Sequence, residues 1–460
     1  MIQLAYITAA VFFILSLKGL STPATAKRGN WYGIAGMAIA VVATVADPDL
    51  TAYPRVGVAA LAGGAIGAVV AIRVEMKAMP EMVALLHSFV GAAATLVALS
   101  AFHHGTHPGA ISLTEIYLGA VIGAPTLTGS LIAFGKLRGT IGGQPLLLPG
   151  RHAINLAGVA VLAGLGGWFV GAPEATPVYL GAAIAGVIGA HVILAIGGAD
   201  MPVIVSVLNS ASGWAAAATG FVLGNDLLII TGALVGASGA ILSIIMSRGM
   251  NRSIGSVLVG GFGEGEGEGE TTATAEAIAK GVNVGDVETA VELMRGARNV
   301  VVAPGYGMAV AQAQHPAWQL TQLLDDEGVR VRFAIHPVAG RLPGHMNVLL
   351  AEADVPYDMV LEMDQINPDF PETDVVLVLG ANDIVNPDAL DKQGSPIYGM
   401  PILEVFRART VIVVKRSLRP GFSGIDNPLY YRDNTMMVFG DAREVVEEMV
   451  RELKGAPTPA

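Results

Sequence analysis

Three groups of side chains in this 460-residue chain have the types and spacing to do chemistry. His87 lies in "LLHSFVG" (85–91), a stretch so apolar that the nearest preceding charge is Glu81. An ionisable group deep in an apolar helix is functional by default, and imidazole exchanges a proton near neutrality. The competing reading is a histidine that bonds a neighbouring carbonyl and only joins helices. Gly305 and Gly307 in "APGYGMAVAQAQ" fill the first two places of G-x-G-x-x-G/A, with Val310 at the third. Lacking side chains, they permit a tight turn and close approach of a pyrophosphate to a helix N-terminus. Lys415, Arg416 and Ser417 set two cations and a hydroxyl side by side, a set suited to a phosphate.

Two kinds of sequence must position these groups. Hydrophobic residues make up 53% of the chain and charged ones 14%, too apolar for a soluble protein of this length. Residues 1–252 hold 11 Lys/Arg against 8 Asp/Glu, and residues 253–460 hold 16 against 30. This reads as a membrane domain followed by an acidic soluble domain, and the acidity argues against nucleic acid as a partner. With no cysteine, disulfides, thiolate metal sites, iron–sulfur clusters and thiol nucleophiles are excluded.

A span needs roughly 20 apolar residues. Nine segments qualify: 4–20, 31–46, 55–72, 80–102, 113–134, 153–171, 177–197, 202–223 and 226–246. The first lacks a basic start and a cleavage site, so it reads as a retained helix. One set of loops holds ten basic residues (Lys18, Lys27, Arg28, Arg73, Lys77, Lys136, Arg138, Arg151, Arg248 and Arg252), while the alternate loops hold Arg55. The positive-inside rule then puts the N-terminus outside and the C-terminal domain in the cytoplasm.

Shifted by 122 residues, "MPEMVALLHSFVGAAA" (79–94) aligns with "MPVIVSVLNSASGWAA" (201–216). The spans before them pair at the same offset and those after them at 113, which makes spans 3–5 and 7–9 a candidate parallel repeat. His87 then has Asn209 as its counterpart, each seven residues past a proline, or about 10 Å in from the cytoplasmic end. Asp200 abuts that end of span 8 and reads either as a gate or as a helix-terminal acid. "HHGTH" (103–107) lacks a carboxylate or cysteine to complete a metal site and reads as a solvated loop. Ser130, Asn155 and Ser238 read as helix–helix hydrogen-bonding groups.

"GFGEGEGEGE" (261–270) is flexible and self-repelling, a tether. The expected division is therefore a membrane domain over 1–250, a linker over 251–284 and a soluble domain over 285–460. Beyond the tether, strands are expected at 298–304, 329–337, 374–383, 410–416 and 435–441, with a short one near Met359–Leu361. Helices are expected at 307–326 and 441–454, giving a doubly wound, Rossmann-like α/β sheet. The second strand ends in His336-Pro337, where an NAD-selective fold commonly carries an acid. With the basic pair at Lys415 and Arg416, that points to a 2′-phosphate and hence NADP(H), the competing reading being a solvated positive pair.

Together these parts resemble the beta subunit of proton-translocating NAD(P)+ transhydrogenase. The resemblance is carried by "LLHSFVGAAA", "LNSASGWAAAATGF", "PGYGMAVAQAQ", "HPVAGRLPGHMNVLLAEADVPYD", "GANDIVNPDAL" and "VVKRSLRPGFSGIDNPLYYRDNT". It implies NADP(H) bound on this chain, reversed relative to ordinary Rossmann cofactors, and NAD(H) on an alpha-subunit partner that brings additional helices. Direct hydride transfer between them would be coupled to proton movement, in a dimer of protomers in the bacterial inner membrane. By motif, it places Gly305, Tyr306, Gly307, Met308, Ala309 and Val310 in the dinucleotide turn, and Gly340, Arg341 and His345 in the loop near the phosphates. It places Asn382 and Asp383 beside the cofactor, Lys415, Arg416 and Ser417 at the 2′-phosphate, and Gly421, Phe422 and Ser423 in the lid. Asp383 is further implicated in coupling. His87, Asn209 and Asp200 match proposed proton-path positions. Phe422 stands where the family usually has tyrosine.

Two other classes fit less well. A channel or transporter regulated by a nucleotide-sensing domain would carry a selectivity element such as a TVGYG-like loop, and the sequence has none. A membrane NADPH oxidase or quinone reductase needs haem or flavin ligands, for which the spans offer only His87 and the isolated His191.

Overall fold

The computed structural model describes residues 2–20, 25–46, 53–75, 78–105, 109–142, 145–250, 253–259, 281–421 and 423–455. The Gly/Glu segment 261–270, Lys77, Arg252, Phe422 and the end of the "HHGTH" stretch lie outside the described residues. The chain divides into two compact units. The first comprises Met1–Ile141, Leu147–Leu194 and Val205–Leu242; the second comprises Gly142–Leu146, Ala195–Ile204 and Ser243–Ala460.

Nine long helices occur among the described residues: α1 Ile2–Leu20, α2 Ala26–Val45, α3 Tyr53–Arg73, α4 Met79–His104, α5 Ala110–Leu137, α6 Arg151–Gly171, α7 Ala175–Leu194, α8 Met201–Leu223 and α9 Asp226–Gly249. Eight are long and apolar enough to cross a membrane. The exception is α2, whose first turns carry Lys27, Arg28 and Asn30 and leave it a shorter apolar run.

In lipid, helices associate through close packing rather than hydrophobic force, so small residues mark the contacts. A Cβ on Gly91 of α4 would lie 2.4 Å from the Leu127 nitrogen of α5, and one on Gly213 of α8 would lie 2.2 Å from the Gly236 nitrogen of α9. Gly91 and Gly213 are equivalent in the 122-residue alignment, so the two hairpins cross at matching places. Between α7 and α5, a Cβ on Gly189 would meet Pro125 at 2.5 Å, and Thr128 Oγ1 donates to the Gly186 carbonyl at 2.6 Å. Helix α3 differs from the rest in having no buried residue.

Past a short helix at Ile254–Val259, the second unit carries a six-stranded sheet: β1 Asn299–Pro304, β2 Arg330–Ile335, β3 Val360–Glu362, β4 Val375–Leu379, β5 Thr410–Lys415 and β6 Thr435–Phe439. The order is β3-β2-β1-β4-β5-β6 and every pairing is parallel. Continuous apolar runs are what strands buried on both faces require; β4, Val-Val-Leu-Val-Leu, is buried throughout. Residues 283–285 run beside β6, through Met437 N to the Asn283 carbonyl (2.8 Å) and Gly285 N to the Met437 carbonyl (3.0 Å).

The helix expected over 307–326 is two helices, Tyr306–Ala311 and Gln314–Asp326, separated at Gln312 with φ of 54°. Proline is tolerated in a first helical turn, where its missing N–H has no partner to lose. Pro316 therefore suits a fresh start at Gln314 and not a helix interior. Asp441 caps the last helix, Ala442–Leu453, by accepting from the Arg443 nitrogen at 3.0 Å.

The α8–α9 crossing can be tested against an open position. Gly213→Ala is expected to lower the stability of the detergent-solubilised protein by about 1–3 kcal/mol through overpacking. Gly164→Ala in α6, where nothing lies within 4 Å of the new Cβ, is expected to be neutral or stabilising in the same thermal melt.

Candidate functional site

In the first unit, α4 and α8 bring His87 to Ser212. Imidazole Nδ1 lies 3.0 Å from Ser212 Oγ, and Ser212 Oγ donates to the Asn209 carbonyl at 2.8 Å. A hydroxyl has one proton to give. With that proton on Asn209, Ser212 accepts from Nδ1–H, and Nε2 keeps its lone pair. Nε2 is buried and has no hydrogen-bond partner among the described residues, and the whole side chain is 6% exposed. The arrangement is a neutral imidazole with one nitrogen anchored and the other free to take a proton.

Asn209 thus meets His87 through its main chain and one intervening hydroxyl. Ser212 was missed in the sequence, although it sits three residues beyond Asn209 on the same helical face. Asp200, in the turn before α8, is fully buried and belongs to the second unit.

The weaker polar readings fare unevenly. Ser238 donates to Val235 of its own helix at 3.1 Å, while Ser130 Oγ and Asn155 Oδ1 are buried without partners among the described residues. Besides His87–Ser212, bonds between helices include those from Thr128, from Tyr117 to the Leu162 carbonyl (2.7 Å), from Ser206 to the Gly239 carbonyl (3.2 Å), from Ser210 to the Gly236 carbonyl (2.7 Å) and from Lys136 to the Leu194 carbonyl (2.8 Å). In "HHGTH", exposed His103 pairs with Tyr179 OH at 2.9 Å, and no metal-binding group occurs among the described residues.

In the second unit, the candidate residues gather at the carboxyl ends of the strands, where strand order reverses between β1 and β4. A Cβ on Gly305 would lie 2.5 Å from the Gly380 carbonyl oxygen, and one on Gly380 would lie 2.4 Å from the Gly307 Cα. Gly380, with φ of 63°, turns the chain out of β4 and was not singled out in the sequence. Met308 and Ala309 are buried behind this turn, and Val310, at the third motif position, is 44% exposed.

Beside the turn, the Arg341 guanidinium lies 4.4 Å from the centre of the Tyr306 ring. The Arg341 backbone N–H donates to His345 Nδ1 at 3.0 Å, so the ring proton sits on Nε2. That Nε2 is buried with no partner among the described residues. Gly340, with φ of 100°, leaves His345 its room: a Cβ there would lie 2.5 Å from Nδ1. Burial, reinforced by the Arg341 charge, lowers the His345 pKa to about 4.

His336 is also buried. Its Nδ1 accepts from the Val338 nitrogen (3.2 Å) and its Nε2 pairs with the Pro401 carbonyl (2.8 Å). Burial lowers its pKa to about 4, opposed by the bond to Pro401. The residue found where an acid was sought is thus a neutral strut.

Across the sheet, Asp383 accepts two hydrogen bonds from Ser423, from the backbone nitrogen at 3.0 Å and from Oγ at 2.6 Å. Gly421 packs against Asn382 and Asp383; a Cβ there would lie 2.9 Å from Asp383 Oδ1. Lys415 Nζ donates to the carbonyls of Ser417 (3.0 Å) and Arg419, so it pins its own loop, while Arg416 is exposed. Burial lowers the Lys415 pKa to about 8, with Arg416 acting in the same direction and Asp383 and Asp426 opposing.

Membrane-length apolar helices joined to a parallel sheet with a glycine-lined crevice define a polytopic membrane protein with a C-terminal α/β part. The chain belongs to the NAD(P) transhydrogenase beta subunit family, whose model matches residues 2–452. Two Rhodospirillum rubrum proteins, each named NAD(P) transhydrogenase subunit beta, are 51% identical to it over 459 residues, covering 98% of this chain and 98% of theirs.

The two buried histidines give the sheet-bearing unit an acid limit. Their folded pKa values, about 4, lie below the ordinary 6.5, so the unfolded chain takes up protons first as pH falls. Their contribution to stability is expected to decline between about pH 6.5 and 4, as read from calorimetric melts across that range.

Proposed function

We propose that this chain is the NADP(H)-binding, proton-translocating subunit of an NAD(P) transhydrogenase, working with an alpha subunit that binds NAD(H). The observation that carries this reading is a pairing within one chain. A buried histidine has one nitrogen anchored and one left for a proton, and a parallel sheet of order 3-2-1-4-5-6 has its crevice between β1 and β4. That order is the one found in doubly wound, Rossmann-like dinucleotide folds. The proposed division is a membrane domain over 1–250, a linker over 251–284 and a nucleotide domain over 285–460.

The residues present suit a dinucleotide. His345 Nε2–H has no acceptor among the described residues, and a phosphate oxygen is an acceptor of the right kind. Gly305, Tyr306, Gly307, Met308, Ala309 and Val310 form the turn, and Gly340 and Arg341 flank it. Lys415, Arg416 and Ser417 supply cations and a hydroxyl for a 2′-phosphate. Asn382 and Asp383 hold Gly421 and Ser423 at the rim, and the family pattern, not the structure, assigns Phe422 to cofactor binding with them. Bound NADP(H) supplies the hydride donor or acceptor, and the protein supplies proximity and orientation.

His87 takes and gives the proton, oriented through Ser212 by Asn209, with Asp200 toward the cytoplasmic exit. The standard potentials of the NAD and NADP couples are nearly equal, so the protonmotive force acts on nucleotide binding. One charge crossing 100 mV is worth ~2.3 kcal/mol. The basic loops favour an N-terminus outside and the sheet in the cytoplasm, in a bacterial inner membrane. The reading further includes additional helices from the partner subunit, in a dimer of protomers. The repeat of spans 3–5 and 7–9 draws support from the matched Gly91 and Gly213 crossings.

Hydride exchange between NADPH and an NAD analogue, with and without the alpha subunit, tests the activity; no exchange with both subunits present rejects it. In reconstituted vesicles, His87→Ala is expected to abolish proton pumping, and unchanged pumping removes His87 from the path. In the nucleotide-free protein the Lys415 ammonium discharges as pH rises through about 8. Affinity for NADP+ is therefore expected to weaken above that pH in a titration, and Lys415→Gln is expected to flatten the decline.

A further inference from the structure

Two buried side chains outside the crevice motifs converge on Asn382. Tyr430 is fully buried and Asn427 is 1% exposed. Tyr430 OH donates to Asn382 Oδ1 at 2.9 Å, and Asn427 Nδ2 donates to both Asn382 Oδ1 and the Asn382 carbonyl, each at 3.1 Å. The orientation of the Asn427 amide is fixed from behind, because its Oδ1 accepts from the Leu429 nitrogen at 3.0 Å. The Tyr430 ring also lies beneath Lys415, with Nζ 5.8 Å from its centre.

The next residue, Asp383, is the one whose carboxylate takes both bonds from Ser423. A carboxylate receives two donors from one residue only while its own backbone is held in place. The buried tyrosine and asparagine supply that hold, and neither reaches the crevice itself. We propose that Tyr430 and Asn427 are positioning residues that act through Asn382 to keep Asp383 aligned on Ser423, and so set how long NADP(H) is retained. This rests on the NADP(H) reading above.

Tyr430→Phe keeps the ring and its packing and removes only the hydroxyl. In the full-length subunit assembled with its partner, the NADPH dissociation rate is expected to rise about fivefold, the size of one hydrogen bond. KM for NADPH should rise with little change in kcat. Ser423→Ala should speed dissociation likewise, and the Tyr430→Phe/Ser423→Ala pair should give less than the product of the two effects, because they share a path. Rates are compared at equal intervals below each variant's Tm, so a general loss of stability does not imitate the result. Unchanged dissociation in Tyr430→Phe, or effects that simply multiply in the pair, would overturn the proposal. Failure of the unmodified protein to bind NADPH would overturn the nucleotide reading instead.

Discussion

Close approach of backbones is the constraint on which the rest of this structure depends. Lipid offers helices no hydrophobic reason to associate, so contact must come from surfaces that fit. The α4–α5 and α8–α9 crossings at Gly91 and Gly213 leave no room for even one methyl group. The same device recurs in the sheet, where Gly305, Gly307 and Gly380 meet backbone to backbone. Each contact fixes something chemical nearby. Gly91 lies four residues beyond His87, Gly213 immediately follows Ser212, and the three sheet glycines shape the turn that carries Tyr306.

The polar groups that survive in such surroundings have few options. An unpaired buried polar atom costs about 1–3 kcal/mol, so most find partners. His87 Nε2 and His345 Nε2 do not, among the described residues. They are unpaired in opposite senses. At His87 the other nitrogen donates to Ser212, which leaves a lone pair at Nε2. At His345 the other nitrogen accepts from Arg341, which leaves a proton at Nε2. One is prepared to receive a proton and the other to offer a hydrogen bond. The same residue type thus carries opposite hydrogen-bonding capacity at Nε2, chosen by what holds its far side.

Much of this was legible in the sequence, for identifiable reasons. Apolar runs of β4 and β5 are buried on both faces, so composition located β5 to within a residue and the start of β4 likewise, although β4 ends at Leu379, four residues before the expected limit. His87 stood out because lipid-compatible sequence excludes charge. Periodicity carried less information where local geometry intervened: the break at Gln312 depends on a left-handed residue and on Pro316, not on hydrophobic pattern. Helix–helix bonds fell to residues such as Thr128, Tyr117, Ser210 and Lys136 and not to Ser130, Asn155 and Ser238. Which hydroxyl finds a carbonyl across an interface depends on helix rotation, which no count of polar residues fixes. Ser212 and the Asn427–Tyr430 pair lie within recognisable stretches, but they act on other residues, and a motif does not show which of its side chains hold others in place.

In the proposed function, no protein acid or base takes part in the hydride step, so the work of the proton must appear as a change in nucleotide affinity. A ligand shifts an equilibrium only by its differential affinity for the two states. One charge across 100 mV, ~2.3 kcal/mol, corresponds to about a 50-fold ratio of affinities. Hydrogen bonds to a charged group contribute about 1.5–3 kcal/mol each. The Asp383–Ser423 contact, two such bonds at one carboxylate, would be worth about 3–6 kcal/mol, more than that difference requires. A switch built from many weak contacts would spread the same energy over a surface; in the proposed function it is concentrated at one carboxylate and one serine, provided Asn382 does not move.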